Sequence, residues 1–474
     1  MSSSSSSSED QRGRGRQFER GETSISSAST SVGRTRLRRG RQRLSGNNRD
    51  EVWPEPFIEA LAYQVAVNAA SSASPTSVTL RSLSAAPAIS TLFQVCSAWR
   101  AISHSNLLWH NLTNRIWGGD SLVHNTWREE YIYRHCTAYN FRISRSLYST
   151  LNYDPNIDNS GPLACRCLTL SDSHLACGFD DGSVRLFNLA STLHVSTFHP
   201  HHRDRLGRFS RAVTGIVLTD TRVIFASLDG DIHVAVIGLV GTRRAQLGDM
   251  VNDGTLVDFN GCNRWWLGLY AGAPGRSFHV WNGENEELVF VGGTLTDPES
   301  VMGWHSLSDE LTEPLGRVRV TSAVESDVAV ACTGIRLMAF DLTNLGSVLN
   351  DEQFQRVGLI VSSVDVSNRL LMVVDNRRIA SVRRVDNFEE VCAFTVDDGS
   401  GARRGGLIGC MNGGCVFICS GCNIRVWDAL YGEYVSSFRE RLEGEVNALI
   451  ANERHVAAAC SSDMTIHLWD YSAP

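Results

Sequence analysis

The run HPHHRDR, His199 to Arg205, packs three imidazoles into four residues. Two cysteine groups also carry metal-ligand or nucleophile types: Cys165 with Cys167, and Cys415, Cys419 and Cys422. A structural zinc needs donors that converge at a recognised spacing, and no second Cys or acid cluster accompanies any of these. The histidines read as loop residues and the cysteines as small apolar strand positions. Serines, histidines and acids abound, yet nothing fixes a nucleophile elbow or a triad. The expectation is a chain without a catalytic site, metal or cofactor. Recognition chemistry is better represented. DRLGRFSRAV supplies Arg205, Arg208 and Arg211 around Phe209. If these meet Arg403 and Arg404, they would grip an acidic peptide or a phosphate, with Phe209 and Trp304 as apolar anchors.

Such residues need a scaffold, and the second two thirds of the chain supplies a repetitive one. Apolar segments end at Phe187, Ala235, Trp281, Phe340, Val382, Trp427 and Trp469, spaced by 48, 46, 59, 42, 45 and 42 residues. Within each unit, short alternating runs are split by Gly/Asp turns, as in LTLSDSHLACGFDDGSVRLFNL, which suits hairpins of a sheet. Adjacent Trp265 and Trp266 must face opposite ways in such a strand. A period in the forties is that of propeller blades, which bury their faces against neighbours. The expected fold is mainly β: a seven-bladed propeller over residues 143–474. Its last unit stops at Trp469 and Asp470, leaving no outer strand. The segment RSLYSTLNYD, residues 145–154, stands ready to supply it and close the ring.

The preceding residues differ. Residues 1–50 carry eleven arginines against five acids in a Ser-rich context, about +6 beside a total of −7, and form a poor core. The basic run holding Arg34, Arg36, Arg38, Arg39, Arg41 and Arg43 has the makings of a nuclear localisation signal. Direct DNA binding is the weaker expectation, because the remainder is acidic. No apolar run reaches membrane-spanning length, so no membrane is expected. Residues 51–118 read as a small helical domain with an Ala/Ser-rich insertion. Its first helix is expected to place Phe57, Leu61 and Val65 on one face, and its second Leu92, Cys96 and Trp99. Residues 119–142 read as a helical connector, with Trp127, Tyr131 and Arg134 at helical spacing.

The segment WPEPFIEALA followed by LFQVCSAWRAISHSNLLWHNL resembles an F-box: a Pro-containing first helix, then Val-Cys-x-x-Trp-Arg, then Leu-Trp. Pro54, Phe57, Leu61, Val95, Cys96, Trp99, Arg100, Leu108 and Trp109 are the matching positions. The resemblance implies binding to a Skp-type adaptor and, through it, a cullin–RING ubiquitin ligase. The implied contacts are Pro54, Phe57 and Leu61, with Trp99 and Trp109 dividing between contact and core. NIRVWD and TIHLWD resemble the WD repeat. Longer segments, including HNTWREEYIYRHCTAYNFR, VNDGTLVDFNGCNRWWLGLYAGAPGR and VGGTLTDPESVMGWHSL, are similar to the plant STERILE APETALA family. That likeness implies a nuclear F-box/WD-repeat regulator of flower development and organ growth. Its implied role is the substrate receptor of a Skp–cullin–F-box ligase that removes nuclear regulatory proteins. The competing expectation is a nuclear transcriptional scaffold that acts without ubiquitin transfer.

Overall fold

The computed structural model describes residues 53–72, 78–117, 122–153, 163–200, 208–273, 275–293, 316–322, 327–333, 336–344, 347–353, 361–396, 407–460 and 464–472. Five α-helices come first: α1 (Glu55–Ser72), α2 (Val78–Phe93), α3 (Ser97–Ala101), α4 (Asn106–Trp117) and α5 (Trp127–Ile143). Seven four-stranded antiparallel sheets follow. The innermost strands touch in sequence around a ring: Cys165–Leu170, Val213–Leu218, Gly254–Gly261, Gly316–Ser322, Val361–Ser367, Leu407–Met411 and Val446–Ala451. The last also meets the first, so the ring is closed. Blade seven takes its outer strand, Leu147–Asn152, from before blade one, with Leu147 opposite Asp470 and Asn152 opposite Thr465.

The repeat positions read from sequence all fall on the third strand of a blade. Phe187, Ala235, Trp281, Phe340, Val382, Trp427 and Trp469 are all buried. Blades two and five therefore substitute Ala235 and Val382 without losing the strand. The acid or amide that follows has its own task. Asp428 Oδ1 accepts from the Leu430 and Tyr431 amides at 2.9 and 3.0 Å, capping the turn into the outer strand. Asn188, Asn282 and Asp341 cap corresponding turns with their side-chain oxygens, and Asp470 accepts from the Ser472 amide after the last strand.

Two features of the inner strands have no marker in the apolar pattern. A one-residue bulge interrupts five of them, between Cys165 and Cys167, Val213 and Gly215, Leu256 and Asp258, Val361 and Ser363, and Val446 and Ala448. Such bulges sharpen the twist and redirect side chains. Cys165 thus packs toward blade seven and Cys167 toward blade two. The second feature is a polar belt that satisfies the inner edges. Thr169 Oγ1 donates to the Ile216 carbonyl at 3.0 Å, and Asp258 Oδ2 accepts from the Val318 amide at 2.9 Å. Asn260 Oδ1 accepts from the Val320 amide, and Asp365 Oδ2 from the Met411 amide, each at 2.9 Å. Gly215 is required by close approach: a Cβ there would lie 1.8 Å from the Phe259 carbonyl oxygen.

Arg319 joins three blades in this belt. Its guanidinium reaches Asp258 at 2.9 Å and Asp365 at 3.4 Å. Desolvation opposes the Arg319 charge, but the two carboxylates outweigh it and raise its pKa. Burial pushes the Asp365 carboxyl up, against the pull of Arg319.

The helical unit has its own core, built on Ile58, Ala62 and Ala66 of α1 with Ala85 and Ile89 of α2. This corrects the expected α1 stripe by one residue: Phe57 is exposed, while Leu61 and Val65 are only half-buried. Small alanines let α1 and α2 approach closely, a role that Phe57 could not fill. The second expected stripe also breaks, because α2 ends at Phe93 and Cys96 becomes the extended N-cap of α3. Cys96 is exposed. Pro87 inside α2 removes the amide that would bond the Leu83 carbonyl. His135 Nε2 on α5 lies 3.3 Å from that carbonyl oxygen, and burial lowers the His135 pKa, favouring the neutral ring that donates there.

Arg319→Met is expected to leave two acidic groups facing each other without a cation. Breaking such a pair costs about 3–5 kcal/mol, read by urea unfolding. The loss should shrink at acidic pH, where the orphaned carboxyls protonate.

Candidate protein-interaction surfaces

The helical unit exposes apolar groups that its core does not use. Trp53 and Phe57 are about half exposed and stack on each other, with centroids 5.0 Å apart and planes 20° apart. Leu107, at the start of α4, is 61% exposed while its neighbour Leu108 is buried. Leu107 borders a groove of about 730 Å³ between α1 and α4, with Pro56, Ala60 and Tyr63 on the opposite wall. Val95, in the break between α2 and α3, is also exposed. A solvent-facing aromatic stack with exposed aliphatic neighbours is a recognised feature of protein-binding surfaces.

The five expected adaptor contacts therefore divide. Pro54 and Phe57 are exposed, and Leu61 and Trp99 are half-buried. Trp109 is interior: its Nε1 donates to the Ser103 carbonyl at 2.7 Å and its ring lies 4.9 Å from that of Tyr131. The side chain belongs to the helical core and holds α4 against α5. Trp53 and Leu107 are exposed without having been among the expected contacts. Trp53 directly precedes Pro54, and the Leu107–Leu108 pair offered two candidates for one inward position on a helix.

The expected connector is one wall of the helical core, and its C-terminal end packs on blades six and seven. Its 17-residue helix spans about 25 Å. At its start, Thr126 Oγ1 accepts from the Glu129 amide at 3.2 Å. Glu130, buried in the first turn, accepts from Arg134 Nε at 2.7 Å and lies 2.9 Å from His124 Nδ1. Burial pushes the Glu130 pKa up, but the hydrogen bonds from His124 and Arg134 and the Arg134 charge hold it below the usual carboxylate range. At the other end, Asn140 Nδ2 donates to the Tyr471 carbonyl at 2.8 Å. Phe141 stacks on Tyr471 at 3.8 Å and joins the core between blades six and seven. Ser144 adopts φ 54° and its amide caps the Asn140 and Phe141 carbonyls, turning the chain into the closing strand. Arg454 of blade seven lies over the Tyr133 ring at 4.8 Å.

Strand direction places α5 on the rim formed by first-to-second and third-to-fourth strand turns. The connections between blades leave from the opposite rim. Arg211 belongs to that second rim and is half-buried. Arg208 and Phe209 belong to the short turn Arg208–Arg211, their side chains outside the described residues. Arg205, Trp304, Arg403 and Arg404 lie outside the described residues, as do Arg34, Arg36, Arg38, Arg39, Arg41 and Arg43. The described coordinates thus place one of the seven expected partner-binding residues.

The cysteine groups resolve into packing. Cys415 and Cys419 are buried in the blade-six core, while Cys422 is exposed. Burial pushes the Cys419 thiol up to about 12, which keeps it protonated and a poor nucleophile. Trp266 is buried, whereas Trp265 is half-exposed and donates from Nε1 to Asp327 at 3.0 Å. Among the described residues no group of three or more His, Cys, Asp or Glu side chains is placed to hold a metal, and no helix is long and apolar enough to cross a membrane.

Together these features define a mainly β protein: a seven-bladed propeller with an N-terminal helical unit packed against it. No protein-family model matches the chain. Over 429 residues it is 52% identical to "Transcriptional regulator STERILE APETALA" of Arabidopsis thaliana, covering 90% of this chain and 93% of the relative. The chain belongs to the STERILE APETALA family.

Phe141→Ala is expected to cost about 3–5 kcal/mol by opening a cavity at the junction, measured by chemical unfolding of the full chain. Glu130→Gln should cost about 1–3 kcal/mol at neutral pH by weakening the buried hydrogen-bonded pair. Because the Glu130 pKa is lowered on folding, its contribution is present above the unfolded carboxylate pKa and is lost as pH falls through the folded one. The variant and the parent should therefore converge in stability toward acid pH.

Proposed function

We propose that this chain is the non-catalytic substrate receptor of a Skp–cullin–F-box ubiquitin ligase acting in the nucleus. In this reading the helical unit is an F-box that binds a Skp-type adaptor, and the propeller captures nuclear regulatory proteins for ubiquitination. The observation that carries it is the exposed Trp53–Phe57 stack beside the Leu107 groove, on a helical unit bearing the Val-Cys-x-x-Trp-Arg and Leu-Trp pattern. Ubiquitin transfer depends on where the captured protein is held relative to the conjugating enzyme. The continuous packing of α5 against both the helical core and blade seven suits that requirement. The chemistry itself belongs to the conjugating enzyme, and removal of growth-restraining regulators would promote flower development and organ growth.

A second reading is a nuclear transcriptional scaffold without ligase dependence. The name of the Arabidopsis relative, a transcriptional regulator, favours it. The basic residues from Arg34 to Arg43 serve nuclear entry in both readings.

The discriminating experiment measures binding of purified full-length protein to a Skp-type adaptor–cullin complex, beside Trp53→Ala/Phe57→Ala and Leu107→Ala variants checked by thermal unfolding. If the stack anchors the adaptor, each aromatic truncation contributes about 1–2 kcal/mol and the double variant binds about 30- to 700-fold more weakly with an unchanged melting temperature. No binding by folded wild-type protein would reject the receptor reading in favour of the scaffold. Equal binding by wild type and variants would reject the Trp53–Phe57 face as the contact.

A further inference from the structure

The outer part of blade six carries a groove that neither the helical contacts nor the expected partner-binding residues use. It encloses about 600 Å³, with Thr395 of blade five on one wall. Arg425 of the third strand, Tyr434 and Ser437 of the outer strand, and Arg439 and Arg441 just beyond it form the rest. No carboxylate lines it.

Three guanidiniums at one groove repel one another, while several arginines elsewhere in the ring have acid partners. Arg222 and Arg243 share Glu286, Arg264 meets Asp327, Arg336 meets Asp351 and Arg383 meets Glu352. Among the described residues Arg425, Arg439 and Arg441 have no ion-pair partner. The acid between two of them is engaged elsewhere: Glu440 Oε2 accepts from Trp469 Nε1 at 2.9 Å. Among the described residues, no carboxylate at the groove offsets this local charge.

The groove is also firmly built. Arg425 is half-buried and sits opposite Ser437 in the strand ladder, so its backbone is already placed. Trp427 stacks on Phe394 with centroids 5.1 Å apart, and Tyr434 meets Trp427 edge-on at 6.0 Å. Tyr434 remains 58% exposed, a flat apolar surface beside the cationic one. A guanidinium fork matches phosphate oxygens, and a phosphate ester carries close to two negative charges at neutral pH. A volume of about 600 Å³ falls within the range of sites for small ligands or short segments.

We propose that this groove binds a phosphorylated peptide segment, its phosphate held by Arg425, Arg439 and Arg441 and a flanking side chain laid on Tyr434. Charge distribution favours a peptide over a nucleic acid. Exposed Glu443 and Glu445 lie just beyond the arginines, and residues beyond the first fifty sum to about −13. An extended polyanion would meet this acidic surface, whereas one phosphate ester would not. The proposal rests on the partner-capturing half of the function proposed above and is independent of the adaptor.

The test uses the full chain and fluorescence anisotropy. The probes are a degenerate peptide library with one central phosphoserine, its unphosphorylated counterpart and a mixed-sequence single-stranded oligonucleotide. Inorganic phosphate serves as competitor. The phosphorylated library should bind at least 10-fold more tightly than the unphosphorylated one, and phosphate should compete only weakly because it lacks the Tyr434 contact. Arg425→Gln/Arg441→Gln should abolish the difference between libraries, and Tyr434→Ala should weaken binding several-fold. Arg439→Gln/Arg441→Gln, confined to exposed side chains, provides the same reading should Arg425→Gln disturb the strand. Equal affinity for both libraries, tighter binding of the oligonucleotide, inorganic phosphate competing as well as the phosphopeptide, or indifference to both arginine double variants would overturn the proposal. Adaptor binding measured on the same samples should be unchanged by the arginine variants, so failure at the groove is distinguishable from failure of the receptor reading.

Discussion

The antiparallel pairing of Leu147–Asn152 with Thr465–Asp470 is the constraint on which the rest of the molecule depends. Without it, blade seven would hold three strands and expose an unpaired edge. With it, the ends of the propeller sequence are held in one sheet, although the partners lie more than 300 residues apart. Backbone hydrogen bonds contribute about 0.5–1.5 kcal/mol each, so this short ladder is strong only as part of a closed ring. The position of α5 follows from it. Only Ser144, Arg145 and Ser146 separate α5 from the closing strand, and Ser144 is committed to the cap. Phe141 then has one packing solution, against Tyr471 and Phe417. The helical unit is fastened to the ring by the same few residues that close it.

Polar groups in this architecture work mainly at edges. The inner strands would present unpaired amides and carbonyls to the ring centre, and side chains from neighbouring blades satisfy several of them. Arg319 is the most consequential member, since its two carboxylates sit on different blades. Glu130 plays the comparable part in the helices: a buried acid that orders the turn before α5 through the Val123 amide and anchors His124 and Arg134. Arg425, Arg439 and Arg441 of the blade-six groove have no acid partner among the described residues.

Much of the propeller was legible because strand hydrophobicity and a recurring turn survive where the WD letters do not. Ala235 and Val382 hold their places through neighbour packing alone, and spacing was enough to find them. Bulges were not legible, because an added residue such as Thr214 or Asn447 changes register without changing composition. Facing in short helices was also poorly encoded. In α1 the buried positions are alanines at 62 and 66, while larger Phe57 faces solvent, so an apolar stripe chosen by size misidentifies the core face. Trp109 shows the same ambiguity in reverse, since nothing in Leu-Trp says that Leu108 and Trp109 are both buried. The blade-six groove escaped notice because Thr395, Arg425 and Arg441 are brought together only by the packing of adjacent blades.

The central claim is that ring closure and placement of the helical unit form one cooperative structure. Native-state hydrogen exchange of the full chain across a series of low urea concentrations tests it directly. Amides of Tyr139–Ile143, of the closing strand Leu147–Asn152 and of Thr465–Asp470 should show the same opening free energy and the same urea dependence. If the α5 amides exchange through a separate low-energy opening while both strands stay protected, the helical unit is only tethered to the propeller, and the account is wrong.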